Sequence, residues 1–84
     1  MDLNLLTLFI TVARTGNFRA AADRLGVTRS AVSQGVRRLE RHLGRPLFQR
    51  TTRSVRLTQD GERFLEAIST PFGEMTAAIE VNKL

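Results

Sequence analysis

Cysteine, tryptophan and tyrosine are absent from this 84-residue sequence, and there is a single histidine. Those absences exclude a disulfide framework, a thiolate metal site and a histidine cluster, so no metal is expected. Apolar runs last only a few residues, far short of the roughly 18–20 that span a bilayer. The first residues show neither a basic n-region nor an A-x-A-like cleavage site. No cue for export is present, and the lack of cysteine fits a reducing cytosol; a cytoplasmic protein is expected. Carboxylates are scattered over helix surfaces with no nucleophile–base pair, and neither G-x-x-x-x-G-K-[ST] nor G-x-G-x-x-G occurs, so an enzyme is not expected. The stacking aromatics of an RNA reader are missing as well. Phe9, Phe18, Phe48, Phe64 and Phe72 all fall within apolar patterns and read as core.

Lysine is almost absent, whereas arginine supplies 12 of the 13 basic residues. Residues 14–56 carry 11 arginines against Asp23 and Glu40, while the flanking segments are net acidic and bring the total down to +5. A basic middle between acidic ends suits a polyanionic partner, above all nucleic acid. A chain this short forms one small domain, burying about 60–65% of its unfolded surface, and gains from a partner subunit.

Leu3 to Thr15 reads as a helix capped by Asp2, with Leu6, Phe9, Ile10 and Ala13 as its core-facing stripe. Leu5, Leu8 and Val12 form a second apolar strip, expected to meet another subunit. Asn17 caps a short helix, Phe18 to Leu25, which ends at Gly26; Thr28 then caps Arg29 to Leu43, which Gly44 and Pro46 stop. Two short helices around a tight glycine turn predict a helix-turn-helix, with Val27 and Val32 filling the angle between them. On the third helix Val32, Val36, Leu39 and Leu43 share one side. Ser30, Ser33, Gln34, Arg37 and Arg41 share the other, and Glu40 lies just past its edge. That layout suits a recognition helix.

Leu47–Arg50 and Val55–Leu57 are expected to form a small hairpin, a wing. Thr58 caps a last helix in which Leu65, Ile68, Phe72, Met75 and Ile79 recur at heptad spacing, a seam for a second copy. Pro71 is expected to kink or split that helix. His42, on the last turn of its helix, reads as a solvated side chain rather than a pH switch.

The run Asn17-Phe18-Arg19-Ala20-Ala21-Ala22-Asp23-Arg24-Leu25-Gly26-Val27-Thr28-Arg29-Ser30-Ala31-Val32-Ser33 resembles the helix-turn-helix of LysR-type transcriptional regulators. The likeness continues through Val36-Arg37-Arg38-Leu39-Glu40, Leu43 to Arg50 and Val55 to Glu62. It covers essentially the whole chain. The resemblance implies a mainly α fold: a winged helix-turn-helix DNA-binding domain over residues 1–57 and a linker helix for dimerisation over 58–84. It also implies a bacterial regulator that binds an interrupted palindrome with a T…A dyad as a dimer, or a tetramer when full length. The family's C-terminal effector domain and its small-molecule ligand lie outside this sequence, so no cofactor is expected here. Ser30 and Gly35 depart from the family pattern, where proline and a larger polar residue are common. Gly35 either lets DNA approach closely or has no role.

With the third helix, 29–43, in the major groove, Arg29, Ser30, Ser33 and Gln34 are the expected readers of base edges, with Arg37 either on a base or on a phosphate. Arg19, Arg38 and Thr28, with the helix-start N–H groups at Asn17 and Thr28, are expected at phosphates. Arg53 at the wing tip is expected near a minor groove, and Arg24, Arg41, Arg45 and Arg56 add to the field. The expected dimer interface combines Leu5, Leu8 and Val12 with Leu65, Ile68, Phe72, Met75 and Ile79. A winged-helix module that binds protein instead of DNA is the alternative.

Overall fold

Phe9 occupies the middle of the core in the computed structural model, which describes residues 1–51 and 54–84. Its ring is fully buried, 5.3 Å from the ring of Phe48 and 5.2 Å from that of Phe64. Three parts of the chain therefore meet at one side chain. The elements run α1 (Asn4–Thr15), α2 (Phe18–Leu25), α3 (Arg29–Leu43), β1 (Phe48–Arg50), β2 (Val55–Leu57) and α4 (Gln59–Val81). This is a winged helix-turn-helix followed by a long helix, mainly α as expected.

Local chemistry sets the helix ends. Asn17 Oδ1 accepts from the Ala20 N–H at 2.6 Å, and Thr28 Oγ1 from the Ala31 N–H at 3.0 Å. Thr58 Oγ1 accepts from the Gly61 N–H at 2.9 Å. Each satisfies one of the donors that a helix start leaves unpaired. The turn between α2 and α3 is closed by Gly26 at φ 69°, a left-handed conformation that a Cβ disfavours. α1 starts one residue later than predicted, although the Asp2 carboxylate still accepts from the Asn4 N–H at 2.9 Å.

The tri-helical core takes Leu5, Phe9, Ile10 and Val12 from α1, Ala21 and Ala22 from α2, and Val32, Val36 and Leu39 from α3. This corrects the reading of α1. Leu5 and Val12 are inside the protomer, Val12 completely, so neither is available to a second subunit. Leu6 and Ala13, expected in the core, are half-buried beside it, as is Leu8. The reason is that α1 packs against α2, α3 and β2 together, so its own chain covers both apolar strips. Gly35 is part of that arrangement: a Cβ there would collide with Leu8 Cδ1 and meet Leu5 Cδ2 at 3.5 Å. It faces α1, and it is this helix rather than DNA that approaches closely.

One further expectation fails in the turn before α3: Val27 is 44% exposed and does not fill the helix angle, whereas Val32 is fully buried. Leu43, on the last turn of α3, is 38% exposed.

β1 and β2 pair antiparallel in the register Phe48↔Leu57, Gln49↔Arg56 and Arg50↔Val55. Next to their turn, the Val55 N–H donates to the Gly16 carbonyl at 3.3 Å and ties the hairpin back to the end of α1. α4 runs through Pro71 as one helix, so the expected split does not occur. Leu65, Ile68 and Phe72 lean half-buried on the domain core, while Met75 and Ile79 are exposed. Of the predicted heptad seam, only these last two lie wholly outside the protomer's own packing. Among the described residues no helix is long and apolar enough to cross a membrane.

Gly61 and Gly73 lie on the same helix in opposite circumstances. A Cβ on Gly61 would strike the Leu47 carbonyl oxygen, a backbone atom that cannot swing away, whereas one on Gly73 meets nothing within 4 Å. Gly61→Ala should therefore lower the unfolding free energy by about 1–3 kcal/mol, and Gly73→Ala should raise it by roughly 0.5–1 kcal/mol. Urea titrations followed by circular dichroism give both values; equal effects would contradict this packing.

Candidate nucleic-acid interface

The start of α2, the first half of α3 and the wing enclose an open cleft of about 500 Å³. Arg19 enters from α2, Arg29, Ser33 and Arg37 from α3, and Arg50, Thr51 and Ser54 from the wing, with Phe18 among the lining residues. Among the described residues, four arginines thus border one concavity that no carboxylate lines. A concave surface of one sign concentrates its field outward and attracts a polyanion.

Of the residues expected to bind DNA, Asn17, Arg19, Arg29, Ser33 and Arg37 come together around this cleft. Gln34 and Arg38 instead border a second cleft, about 390 Å³, between the start of α1 and α3. Ser30 lines neither; its hydroxyl accepts a 3.1 Å hydrogen bond from Gln34 Nε2. The Asn17 and Thr28 side chains act as caps. Arg53, expected at the wing tip, lies outside the described residues.

Arg50 was missed by the sequence reading, and so was the role of Glu40. The Arg50 guanidinium lies 4.9 Å from the centre of the Phe18 ring, with Nη1 3.5 Å from Ser33 Oγ and Nη2 3.5 Å from Glu40 Oε1. Arg50 thus joins the wing to α2 and α3 at once. Glu40, read as lying at the edge of the polar face, is turned inward. Its Oε2 accepts from the N–H groups of Leu47 at 2.7 Å and Phe48 at 3.3 Å. Neither partner has a local sequence signal, because the contacts join residues seven or more positions apart, up to Phe18 and Arg50.

The family model described as the bacterial regulatory helix-turn-helix protein, lysR family, matches residues 3–62. The chain belongs to the LysR family. Among curated members, it is 47% identical over 79 residues to the HTH-type transcriptional regulator y4mQ of Sinorhizobium fredii, covering 94% of this chain and 26% of that protein. It is 42% identical over 80 residues to the HTH-type transcriptional regulator BudR of Klebsiella aerogenes, 95% of this chain and 56% of that one. This LysR-family chain therefore spans only part of the length of the curated relatives it matches. Among solved structures, the DNA-binding domain of BenM in complex with benA site 1 DNA superposes with a TM-score of 0.87 at 27% identity. That match covers 96% of this chain and 91% of the BenM domain.

Removing the Glu40 carboxylate leaves two main-chain donors of buried residues without their acceptor, each worth roughly 1–3 kcal/mol. Glu40→Ala should therefore cost about 2 kcal/mol or more in unfolding free energy, and Glu40→Gln, whose amide oxygen still accepts, distinctly less. Paired denaturation curves decide this, and an alanine variant as stable as the parent would remove Glu40 from its structural role.

Proposed function

We propose that this chain is the DNA-binding part of a bacterial transcriptional regulator and binds double-stranded promoter DNA without enzymatic activity. The observation that carries the reading is the arginine-bordered, acid-free cleft beside the exposed face of α3, on the fold that BenM uses in its DNA complex. In this reading residues 1–57 form the binding domain and 58–84 the linker helix. α3 enters the major groove with Arg29, Ser30, Ser33, Gln34 and Arg37 toward base edges, and Arg19, Arg38, Asn17 and Thr28 face phosphates. Arg53 lies near the minor groove.

The hydrogen bond from Gln34 to Ser30 supports a specific reading role. With one amide N–H directed at Ser30, the remaining N–H and the carbonyl oxygen form the donor–acceptor pair that matches the N7 and N6 edge of adenine. The protein works in the cytoplasm, as a dimer on an interrupted palindrome and in larger assemblies when full length. The effector that controls it binds elsewhere in the full-length regulator. Pairing through α4 is supported by Met75 and Ile79, exposed on the outer half of a helix whose inner half already leans on the core.

Fluorescence anisotropy tests the first claim, on a duplex with a T…A dyad and on a scrambled one. Binding should be submicromolar to micromolar and should weaken steeply with salt. Gln34→Ala should lose about 1–3 kcal/mol and narrow the gap between the duplexes. No binding to either duplex at low salt would overturn the reading in favour of a protein-interaction module. Sedimentation equilibrium tests the second claim: the parent chain should associate to twice its mass, and Met75→Glu with Ile79→Glu should return it to a monomer.

A further inference from the structure

The Arg50 guanidinium is held on three sides, yet none of its polar contacts is tight. Its distances to Glu40 and Ser33 are both 3.5 Å, whereas well-formed charge-assisted bonds run about 2.7–2.9 Å. Glu40 has a second task, since its other oxygen accepts from the Leu47 and Phe48 N–H groups. The Phe18 ring lies beneath the guanidinium, 4.9 Å away, and helps to hold it in place by cation–π attraction. A guanidinium has five donors in a rigid fork suited to phosphate. Here it borders the same cleft as Arg19, Arg29 and Arg37 and is partly open to it, at 28% side-chain exposure.

Resting on the DNA-binding reading above, we propose that Arg50 is a phosphate-holding residue whose charge Glu40 shares in the free protein and yields to a DNA phosphate on binding. The Phe18 ring stays as the platform on which the planar fork rests. Arg50 projects from the turn end of β1 rather than from the exposed face of α3, which assigns it to the phosphate rail and not to base edges. Glu40 is then the competing anion: the free protein has one guanidinium partly neutralised, and DNA must displace that carboxylate. Ser33, within reach of the same guanidinium, links the exchange to α3.

A salt titration tests this without knowledge of the operator. The duplex is a fluorescein-labelled 20-base-pair DNA of arbitrary sequence, read by anisotropy between about 50 and 200 mM salt. Arg50→Gln should flatten the log–log salt slope by about 0.9, one phosphate contact, and Arg50→Lys should restore it. Glu40→Gln should tighten binding about threefold, the size of a weak ion pair, and should have no such effect in the Arg50→Gln background. An unchanged slope in a folded Arg50→Gln protein overturns the phosphate role. Failure of lysine to restore the slope makes Arg50 structural only, and this too overturns it. An equal gain from Glu40→Gln in both backgrounds overturns the exchange, since it reduces Glu40 to a distant charge. If Arg50→Gln melts below the assay temperature, Glu40→Gln alone still decides: unchanged affinity overturns the proposal. Loss of salt-sensitive binding by the parent chain would instead remove the DNA-binding reading itself, a failure recognisable before any variant is made.

Discussion

Leu47 and Phe48 are buried where the chain leaves α3, turns back and starts the wing, and the main-chain groups of this stretch need partners. Glu40 supplies them on one side, accepting from the Leu47 and Phe48 N–H groups. The start of α4 supplies them on the other. The Thr58 N–H donates to the Leu47 carbonyl at 2.9 Å, and Thr58 Oγ1 donates to the Pro46 carbonyl at 2.8 Å. Gly61 lets α4 lie directly on that carbonyl. A main-chain stretch satisfied from both sides has little freedom, so α3, the wing and α4 form one unit. Phe48, carried on this stretch, then reaches Phe9 and closes the core.

The same constraint organises the cleft. Because β1 starts where Glu40 fixes it, Arg50 arrives over Phe18 and beside Ser33, and the wing becomes one wall of a basic concavity. The arginines of residues 14–56 are spread along the sequence, but α2, α3 and β1 bring four of them around one space. The acidic residues of α4 lie outside that lining. Glu40 reaches the cleft only through its contact with Arg50, so among the described residues the lining is predominantly positive.

α1 shows how a short chain manages a helix that is apolar nearly all round. Such a helix signals burial on two sides without saying by what. In this protein α2, α3 and β2 surround it, and Gly35 allows α3 to sit close over Leu5 and Leu8. Large apolar side chains of α4 stay exposed instead on its outer half, at Met75 and Ile79.

Much of the architecture was legible in the residue order, because it depends on interactions within three or four positions. Asn17, Thr28 and Thr58 cap the helices predicted for them, Gly16, Gly26 and Gly44 end α1, α2 and α3 in left-handed geometry, and α2 and α3 have the predicted bounds. The polar side of α3 and the arginine-rich middle were visible in the same way, as periodicity and local charge. What only the tertiary structure decided is which surfaces meet. It settled which partners cover α1, why Gly35 is small, that Glu40 turns inward and that Arg50 belongs to the cleft. These depend on pairs far apart in sequence, whose spacing carries no period. A side chain's pattern tells whether it is buried, but its partner is chosen by the path of the whole backbone.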